Sequence, residues 1–253
     1  MKFLKKAAGY ILSGVFWLLV WLVLASIAAN EIILPPPQLV FERLFCLAKT
    51  KEFWETIGAS FGRIVFGVFT SIILAVIAAV GAAKFKIIHV LLYPFNEVIK
   101  ATPIVSFIFL AYIIFQKNIG YLPVFIVMLM VFPVVYSSML NAIQNVEREL
   151  IEVASVFGCT WFEKIRFIWI PTVINAFITS ASTSIGLGWK AGIAAEALVA
   201  SPQLISIGTE LYNAKLFIET VDQFAWTVAI IVISMILGIA FTAVTDKVKE
   251  KIL

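Results

Sequence analysis

Residues 152–171 read EVASVFGCTWFEKIRFIWIP, a charged and glycine-containing segment in a chain that is otherwise mostly apolar. Gly158 follows a helical pattern and can take the left-handed conformation that ends a helix, which costs other residues about 1–2 kcal/mol. Thr160 and Glu163 then have the spacing of a capping box, in which each residue satisfies a free backbone N–H group of the other. The segment is therefore predicted to fold as helix, sharp turn and helix.

The second predicted helix carries more apolar surface than a free loop should expose. Its apolar side chains are Trp161, Phe162, Ile165, Phe167, Ile168, Trp169 and Ile170. Part of this surface is expected to be covered by other helices or by another protein. Pro171 is expected to open the next helix, where its missing N–H group costs nothing.

The composition indicates an integral membrane protein. Of 253 residues, 62% are hydrophobic and 13% are charged, against about 25% charged in soluble domains. The mean hydropathy is +1.05. Runs long enough to cross about 30 Å of hydrocarbon recur, so the expected fold class is all-α, with about six transmembrane helices at 8–29, 56–83, 87–116, 121–141, 172–198 and 224–246. The first run is too long for the core of a secretory signal, usually about 7–15 residues, and is expected to be retained.

Lysines and arginines are distributed unevenly between the two sides of this predicted bundle. With the N-terminus inside, eleven lie in the cytoplasm and five outside, as the positive-inside rule requires. The inner set is Lys2, Lys5, Lys6, Lys84, Lys86, Arg148, Lys164, Arg166, Lys247, Lys249 and Lys251, and the outer set is Arg43, Lys49, Lys51, Lys117 and Lys215. Both termini and the segment 152–171 are therefore predicted to be cytoplasmic, and a nucleic-acid partner is not needed to explain the basic balance.

Two further local features are predicted. Pro103 should kink or break the third crossing, because proline disfavours helix at the residue before it, and this helix is expected to be buried among others. Outside the first crossing, Leu39, Val40, Leu44 and Leu47 predict a short helix at the outer interface. Cys46 and Cys159 lie on opposite predicted sides, so no disulfide framework is implied.

Five residues of the opening segment resemble a family signature. The spacing of Glu152, Ala154, Gly158, Ile168 and Pro171 is similar to the EAA loop of ABC-type import permeases, whose pattern is E-A-A-x3-G-x9-I-x-L-P. In that family the loop forms a coupling helix that docks into a groove on a cytoplasmic ATPase. The resemblance implies the same ATPase-coupling role for these residues and for Thr160 and Glu163.

Two positions of that loop depart mildly from the pattern, since Val153 replaces an alanine and Ile170 a leucine. Three other stretches resemble the permease core: Ser60–Arg63 with Gly67, Lys100–Pro103, and Gly188–Lys190 with Ala195–Glu196.

The stretch Gly188–Lys190 with Ala195–Glu196 is similar to the subfamily of permeases that imports nitrate, taurine, other sulfonates and thiamine-precursor pyrimidines.

The resemblance implies a type I ABC importer fold in one permease domain, 1–253, with a peripheral first helix (8–29), a core (56–246) and a coupling segment (147–171). It implies a bacterial inner-membrane subunit that imports a small anionic or heterocyclic solute by alternating access. The implied partners are a cytoplasmic ATPase dimer, a second permease copy forming a homodimer, an extracytoplasmic substrate-binding protein and membrane lipid. No cofactor is expected on this chain, and ATP and Mg are expected on the partner ATPase.

Ionisable and polar groups at membrane depth are candidates for a solute path, because they are costly there. These path candidates are Lys100, Thr102, Ser106, Ser184, Trp189, Lys190 and Glu196. The alternative is that the lysines neutralise carboxylates such as Glu97 and Glu196, or reach outward to the interface. Arg63, nearer an interface, is expected to be structural.

Two other classes of function remain open at this stage. An intramembrane enzyme would use Ser180–Ser184 with Glu97 or His89, and a secondary transporter would work through Glu97, Lys100 and Glu196. The sequence contains no G-x-x-x-x-G-K-S/T stretch, so the chain has no P-loop of its own. His89 has no cysteine or carboxylate cluster nearby in sequence that would suggest a metal site.

Overall fold

The computed structural model of the chain describes the backbone of residues 2–252 and the side chains of residues 12–245 and of Lys247. Between residues 2 and 252 it is almost entirely helical and contains no β-strand, which confirms the predicted all-α class. A π-helical turn, Ile165–Trp169, lies between the helices Trp161–Lys164 and Ile170–Val199. The helices are α1 (Lys2–Ala28), α2 (Pro37–Ala48), α3 (Lys51–Lys84), α4 (Lys86–Ala101), α5 (Ile104–Phe115), α6 (Tyr121–Gln144), α7 (Arg148–Val156), α8 (Trp161–Lys164), α9 (Ile170–Val199), α10 (Ile207–Leu216) and α11 (Thr220–Ile252).

Among the described residues, four helices are long and apolar enough to cross a membrane. They coincide with the predicted crossings at 56–83, 121–141, 172–198 and 224–246, and they are Lys51–Lys84, Tyr121–Gln144, Trp161–Val199 and Thr220–Thr245. The predicted crossing at 87–116 is a pair of helices, α4 and α5, bent by 108°. Within α1, Leu12–Ala28 is apolar but shorter than the four long spans; the side chains of residues 8–11 lie outside the described part of the chain.

The bend between α4 and α5 lies at Thr102 and Pro103. Thr102 is extended, with φ −89° and ψ 132°, because the ring of Pro103 disfavours helical backbone before it. The hydroxyl of Thr102 donates to the carbonyl of Val98 at 2.7 Å, and the amide of Ser106 donates to the carbonyl of Pro103 at 3.0 Å. The predicted break is confirmed, but most of α4 is left uncovered by this chain, contrary to the expectation that it is buried among other helices.

The directions of the three central helices define two ends of the bundle. α3 and α6 run parallel, with the hydroxyl of Ser71 donating to the carbonyl of Met128 at 2.9 Å, and α9 runs antiparallel to both. We call the end where α3 and α6 finish and α9 begins (Lys84, Gln144 and Ile170) the α7 face, and the opposite end (Lys51, Tyr121 and Val199) the α10 face. Because α3 and α6 run in the same direction, the broken pair α4–α5 must carry the chain back across the bundle.

The core lies where α3, α6 and α9 cross, and glycines allow the close approach. A methyl group added at Gly188 would lie 2.5 Å from Cγ2 of Val68, and one at Gly192 would lie 2.5 Å from Cγ1 of Ile64. Small residues let helices pack closely in membranes, where van der Waals contact drives much of their association. Replacement of either glycine is therefore expected to push α9 away from α3.

The predicted short helix is confirmed as α2, and it packs against the start of α11 at the α10 face. The guanidinium of Arg43 donates to both carboxylate oxygens of Asp222, at 2.6 and 2.7 Å. The hydroxyl of Thr220 donates to the carbonyl of Ile32 at 2.8 Å. These contacts tie the connection after α1 to the last membrane helix. Both cysteines are free thiols.

Candidate functional site

The glycine-broken segment folds as the sequence predicts. α7 ends at Val156, and Gly158 follows with φ +71°, in the left-handed region. The amide of Cys159 donates to the carbonyl of Ala154 at 2.9 Å, which closes the end of the helix. A β-carbon at Gly158 would find open space but would have to adopt the strained φ, so the glycine is required by the backbone and not by packing.

The capping box at the start of α8 is confirmed. The amide of Glu163 donates to the hydroxyl of Thr160 at 3.4 Å, and the amide of Thr160 donates to the Glu163 carboxylate at 2.7 Å. Lys164 Nζ donates to the hydroxyl of Ser155 at 2.7 Å, linking α8 to α7. The turn between the two helices is therefore held by several hydrogen bonds.

Large apolar side chains project from this turn into open space. Val156 is 85% exposed and Phe157 is 81% exposed. We call the exposed group the apolar patch; its members are Val156, Phe157, Phe162 and Phe167. A patch of this kind at the end of a membrane bundle indicates a surface that binds a partner.

The residues of the segment that match the family signature differ in how far they are exposed. Glu152 is exposed, whereas Ala154, Ile168 and Pro171 are each partly buried. Glu152 makes no ion pair with any described side chain. The structure thus places the carboxylate outward beside the apolar patch, and its role stays a prediction.

Pro171 lies in the first turn of α9, as predicted, but the helix does not start from a free end. Residues Trp161–Val199 form one continuous span, because the π-helical turn Ile165–Trp169 joins α8 to α9 directly before Pro171. In that turn the amide of Ile170 donates to the carbonyl of Ile165, five residues back. π-turns often occur where a proline or an extra residue disturbs the regular ladder. The turn after Gly158 is therefore joined to the membrane helix without a break.

At the α10 end of the same helix, Glu196 forms a buried polar cluster. Its carboxylate is fully buried, and Arg63 donates to one oxygen from Nη2 at 2.9 Å and from Nε at 3.1 Å. Ser60 donates to the other oxygen at 2.7 Å. Arg63 also donates to the carbonyl of Ile205 at 2.6 Å. The cluster thus links α3, α9 and the connection to α10.

The start of α10 completes this cluster. The amide of Ile207 donates to the hydroxyl of Ser60 at 2.9 Å, and Ser206 caps the helix by accepting from the amide of Thr209 at 3.0 Å. Gly208 lies against the backbone of residues 196 and 197 so closely that no β-carbon would fit. The first turn of α10 therefore lies directly against the Glu196 carboxylate, and the amide of Gly208 is 3.5 Å from one of its oxygens.

The partner of Glu196 was not predicted from the sequence. The alternative to a solute path was that Lys100 or Lys190 neutralises its carboxylate, whereas in the structure Arg63 pairs with it. Arg63 was expected to be structural, and its ion pair with Glu196 fits that expectation. Lys100 does pair with a carboxylate, that of Glu97, at 3.1 Å. The Arg63–Glu196 contact joins positions 133 residues apart, so only the rotation of each helix in the bundle reveals it.

The path candidates on α9 divide between two faces. Ser184, Trp189 and Glu196 are buried against the rest of the bundle, whereas Lys190 is exposed and makes no ion pair with a described side chain. We call the side of the helix that carries Lys190 the polar stripe; it consists of Asn175, Thr179, Thr183, Gly186 and Lys190, all exposed or half-exposed. The spacing of three or four residues is the signal that could have revealed it.

On α4 and α5, Lys100 and Ser106 are exposed and Thr102 is partly buried. All three lie at or beside the bend, but no described hydrogen bond joins them to the polar stripe of α9. Their place in a solute path stays a prediction.

The hydroxyl groups of 180–184 do not form a hydrolytic site with the histidine. Ser180 donates to the carbonyl of Phe177 at 3.0 Å, and Thr183 donates to that of Thr179 at 3.0 Å. Neither hydrogen-bonds to His89. Within the described residues, no group of three metal-binding side chains could hold an ion.

This arrangement of helices is that of an ABC importer permease. The chain is similar in structure to one in the crystal structure of a bacterial ABC transporter involved in the import of the acidic polysaccharide alginate. The TM-score is 0.62 at 16% sequence identity, with 96% of each chain covered. At this identity the likeness shows the fold alone.

The family follows from sequence. A family model described as "Binding-protein-dependent transport system inner membrane component" matches residues 71–252, and the chain belongs to that family. It is 25% identical over 233 residues to the taurine transport system permease protein TauC of Escherichia coli (strain K12), covering 89% of this chain and 83% of TauC. It is 23% identical over 208 residues to the glycine betaine transport system permease protein OpuAB of Bacillus subtilis (strain 168), covering 82% and 70%.

The chain is therefore a multi-pass inner-membrane protein and the transmembrane subunit of an ABC importer. Members of this family are permease subunits, which are not catalytic, and the family implies an ATPase and a substrate-binding protein as partners.

Proposed function

We propose that the chain forms a homodimer that imports a small anionic or heterocyclic solute, with ATP and Mg bound and ATP hydrolysed by two cytoplasmic ATPase subunits. One observation carries the proposal: the ordered apolar patch at the α7 face is joined by the continuous helix Trp161–Val199 to the buried Glu196 cluster. A docked partner that moves the patch would therefore move the α9 helix.

The coupling step is assigned to α7 and α8. The left-handed Gly158 and the capping box hold the turn in one conformation, so little conformational entropy is lost when a partner binds it. The apolar patch supplies the contact area, and Glu152 beside it supplies a charge that can select the partner. Both features suit a helix that docks into a groove on an ATPase.

The orientation is proposed from the charges. Lys84, Arg148, Lys164 and Arg166 all lie at or near the α7 face, and basic residues favour the cytoplasmic side. The N- and C-termini are then cytoplasmic, and α10 faces the outside, where an extracytoplasmic binding protein would deliver the solute. Membrane lipid surrounds the rest of the bundle.

The solute path is proposed along the polar stripe of α9. Its hydroxyl groups and Lys190 lie on the face that the chain's own core does not cover, and a second copy would close this face into a central path between two α9 helices. Lys190 would attract an anion there, which is consistent with a zwitterionic sulfonate such as the taurine named for one relative. Alternating access then follows from movement of α9 with the coupling segment.

The proposal is tested by affinity purification from native membranes with identification of co-purifying proteins. An ATPase subunit should co-purify with the wild type and be lost with Gly158→Val or Glu152→Lys. The matched control is Gly58→Val, because Gly58 is an exposed helical glycine with open space around it, far from the α7 face. If no ATPase co-purifies and uptake follows a proton gradient, the chain works as an ion-coupled transporter and the proposal fails.

A further inference from the structure

A large cavity opens at the α7 face, on the inner side of the coupling segment. Its volume is about 740 Å³. Its walls come from the ends of α3 and α6, from α7 and α8, and from the first turns of α9. The permease mechanism proposed above does not use this space.

The walls of the cavity are mostly apolar, and the charged residues in its described lining are positive. Val173, Ile174 and Phe177 form the deep wall, whereas Lys84 and Arg148 are its charged residues. Among the described residues, no aspartate or glutamate lines it, and neither cation forms an ion pair with a described side chain. An apolar interior beside two free cations matches a ligand with a hydrocarbon tail and an anionic head.

A buried indole supplies a further polar group. Trp169 lines the cavity, and its Nε1–H group is buried without a hydrogen-bond partner among the described residues. Buried polar groups are normally paired, because an unpaired one costs about 1–3 kcal/mol. The indole N–H therefore lacks an acceptor within the described part of the chain.

The coupling helix has two distinct faces at this point. Trp161, Ile165 and Trp169 line the cavity at successive helical turns, although Trp161 is also 68% exposed. Phe162 and Phe167 belong to the exposed apolar patch and do not line the cavity. A partner bound to the patch would leave the cavity side of the helix free. The cavity and the patch can therefore bind different molecules at the same time.

We propose that this cavity binds an anionic phospholipid, with an acyl chain against Val173, Ile174 and Phe177 and the phosphate between Lys84 and Arg148. The location fits, because the ends of membrane helices lie at the level of the headgroups, where tryptophan is also favoured. The bound lipid packs against the side of the coupling helix that faces the cavity and supports the helix there. This inference depends neither on transport nor on the proposed orientation.

Native mass spectrometry of the detergent-purified chain tests the proposal with palmitoyl-oleoyl phosphatidylglycerol and the phosphatidylcholine of the same chains. Phosphatidylglycerol should bind, and the double variant Lys84→Gln, Arg148→Gln should weaken its binding on the order of tenfold. The matched control Lys86→Gln removes a nearby cation that does not line the cavity and should bind like the wild type. Equal binding of the two lipids, or equal effects of the two sets of variants, overturns the proposal.

A second readout locates the lipid. Phosphatidylglycerol with brominated chains should quench tryptophan fluorescence, and Trp169→Phe should remove more of the quenching than Trp54→Phe, which lies near the α10 face. If free glycerol phosphate displaced the brominated lipid as strongly as unlabelled phosphatidylglycerol does, the cavity would bind a phosphate group and no acyl chain. A cross-link from Ile174→Cys to an ATPase or a second copy would mean that protein fills the cavity; either result contradicts lipid binding.

Discussion

At the scale of single residues, the buried carboxylate of Glu196 is the most consequential group. It accepts hydrogen bonds from Arg63 and Ser60 and faces the start of α10, so it fixes three elements at one point. Arg63, Ser60 and the start of α10 thus all contact one side chain that is fully buried. The exposed pair of Glu97 and Lys100 has no comparable setting, since about half of each side chain is open.

Removal of the buried carboxylate is therefore expected to destabilise the protein strongly. Glu196→Ala leaves Arg63 without its partner, and breaking a buried ion pair in this way costs about 3–5 kcal/mol. The matched variant Glu97→Ala breaks an exposed pair and should cost less than about 1 kcal/mol. Thermal unfolding of both variants in the same detergent measures the difference, and equal shifts would mean that the cluster contributes little.

Glu210 on α10 is expected to make stability depend on pH. Burial, and then the charge of Asp222, raises the pKa of the Glu210 carboxyl above its ordinary value. A raised folded-state pKa gives a stabilising contribution that is full below the unfolded-state pKa and is lost as the pH rises through the folded-state pKa.

Glu210→Gln should therefore stabilise the protein slightly above the folded-state pKa and leave it unchanged at low pH. Melting temperatures of both proteins at about pH 4 and about pH 8 test this sign. Glu219→Gln, an exposed change on the same face, is the control. A larger gain for Glu210→Gln at low pH than at high pH would contradict the assignment.

At the scale of elements, the capping box decides where α8 begins. Thr160 accepts from the amide of Glu163 and its own amide donates to the Glu163 side chain, so both interactions act at one helix start. The turn before it depends on Gly158. The two features together order the turn between α7 and α8.

Thr160→Ala is expected to fray this start by about 1 kcal/mol, the usual value of an N-cap. Hydrogen exchange of residues 160–164 should become faster, while exchange in α9 stays unchanged. Thr172→Ala serves as the control, because that hydroxyl only donates to the carbonyl of Ile168 within the helix. Unchanged exchange at residues 160–164 would show that packing, and not the cap, holds α8.

At the scale of the whole molecule, the polar stripe of α9 is the face proposed to meet a second copy. In a background with Cys46 and Cys159 replaced by serine, Thr183→Cys should form a disulfide-linked dimer in membranes on mild oxidation. Thr227→Cys, an exposed position on α11, should remain monomeric. A dimer through Thr227→Cys alone would place the interface on α11.

The sequence was most informative where a structure depends on neighbouring residues. Gly158, Thr160 and Glu163 lie within six positions, and the turn and cap that they predict are present. It was least informative for the partner of Glu196, because Arg63 and Lys190 both carry one positive charge. Only the rotation of α3 and α9 about their axes decides which of the two side chains reaches the Glu196 carboxylate. The π-turn before Pro171 was also missed, since a proline in the first turn of a helix does not show whether another helical turn precedes it.

The apolar patch at the α7 face has a consequence for the life of the protein in the cell. Val156 and Phe157 are almost fully open to water in the isolated chain, and exposed surface of this kind favours aggregation and marks a protein for proteolysis. A newly made copy thus remains vulnerable to quality control until a partner covers it. The amount of permease in the membrane should follow the supply of that partner, so an excess of this one subunit would be degraded without forming additional transporters.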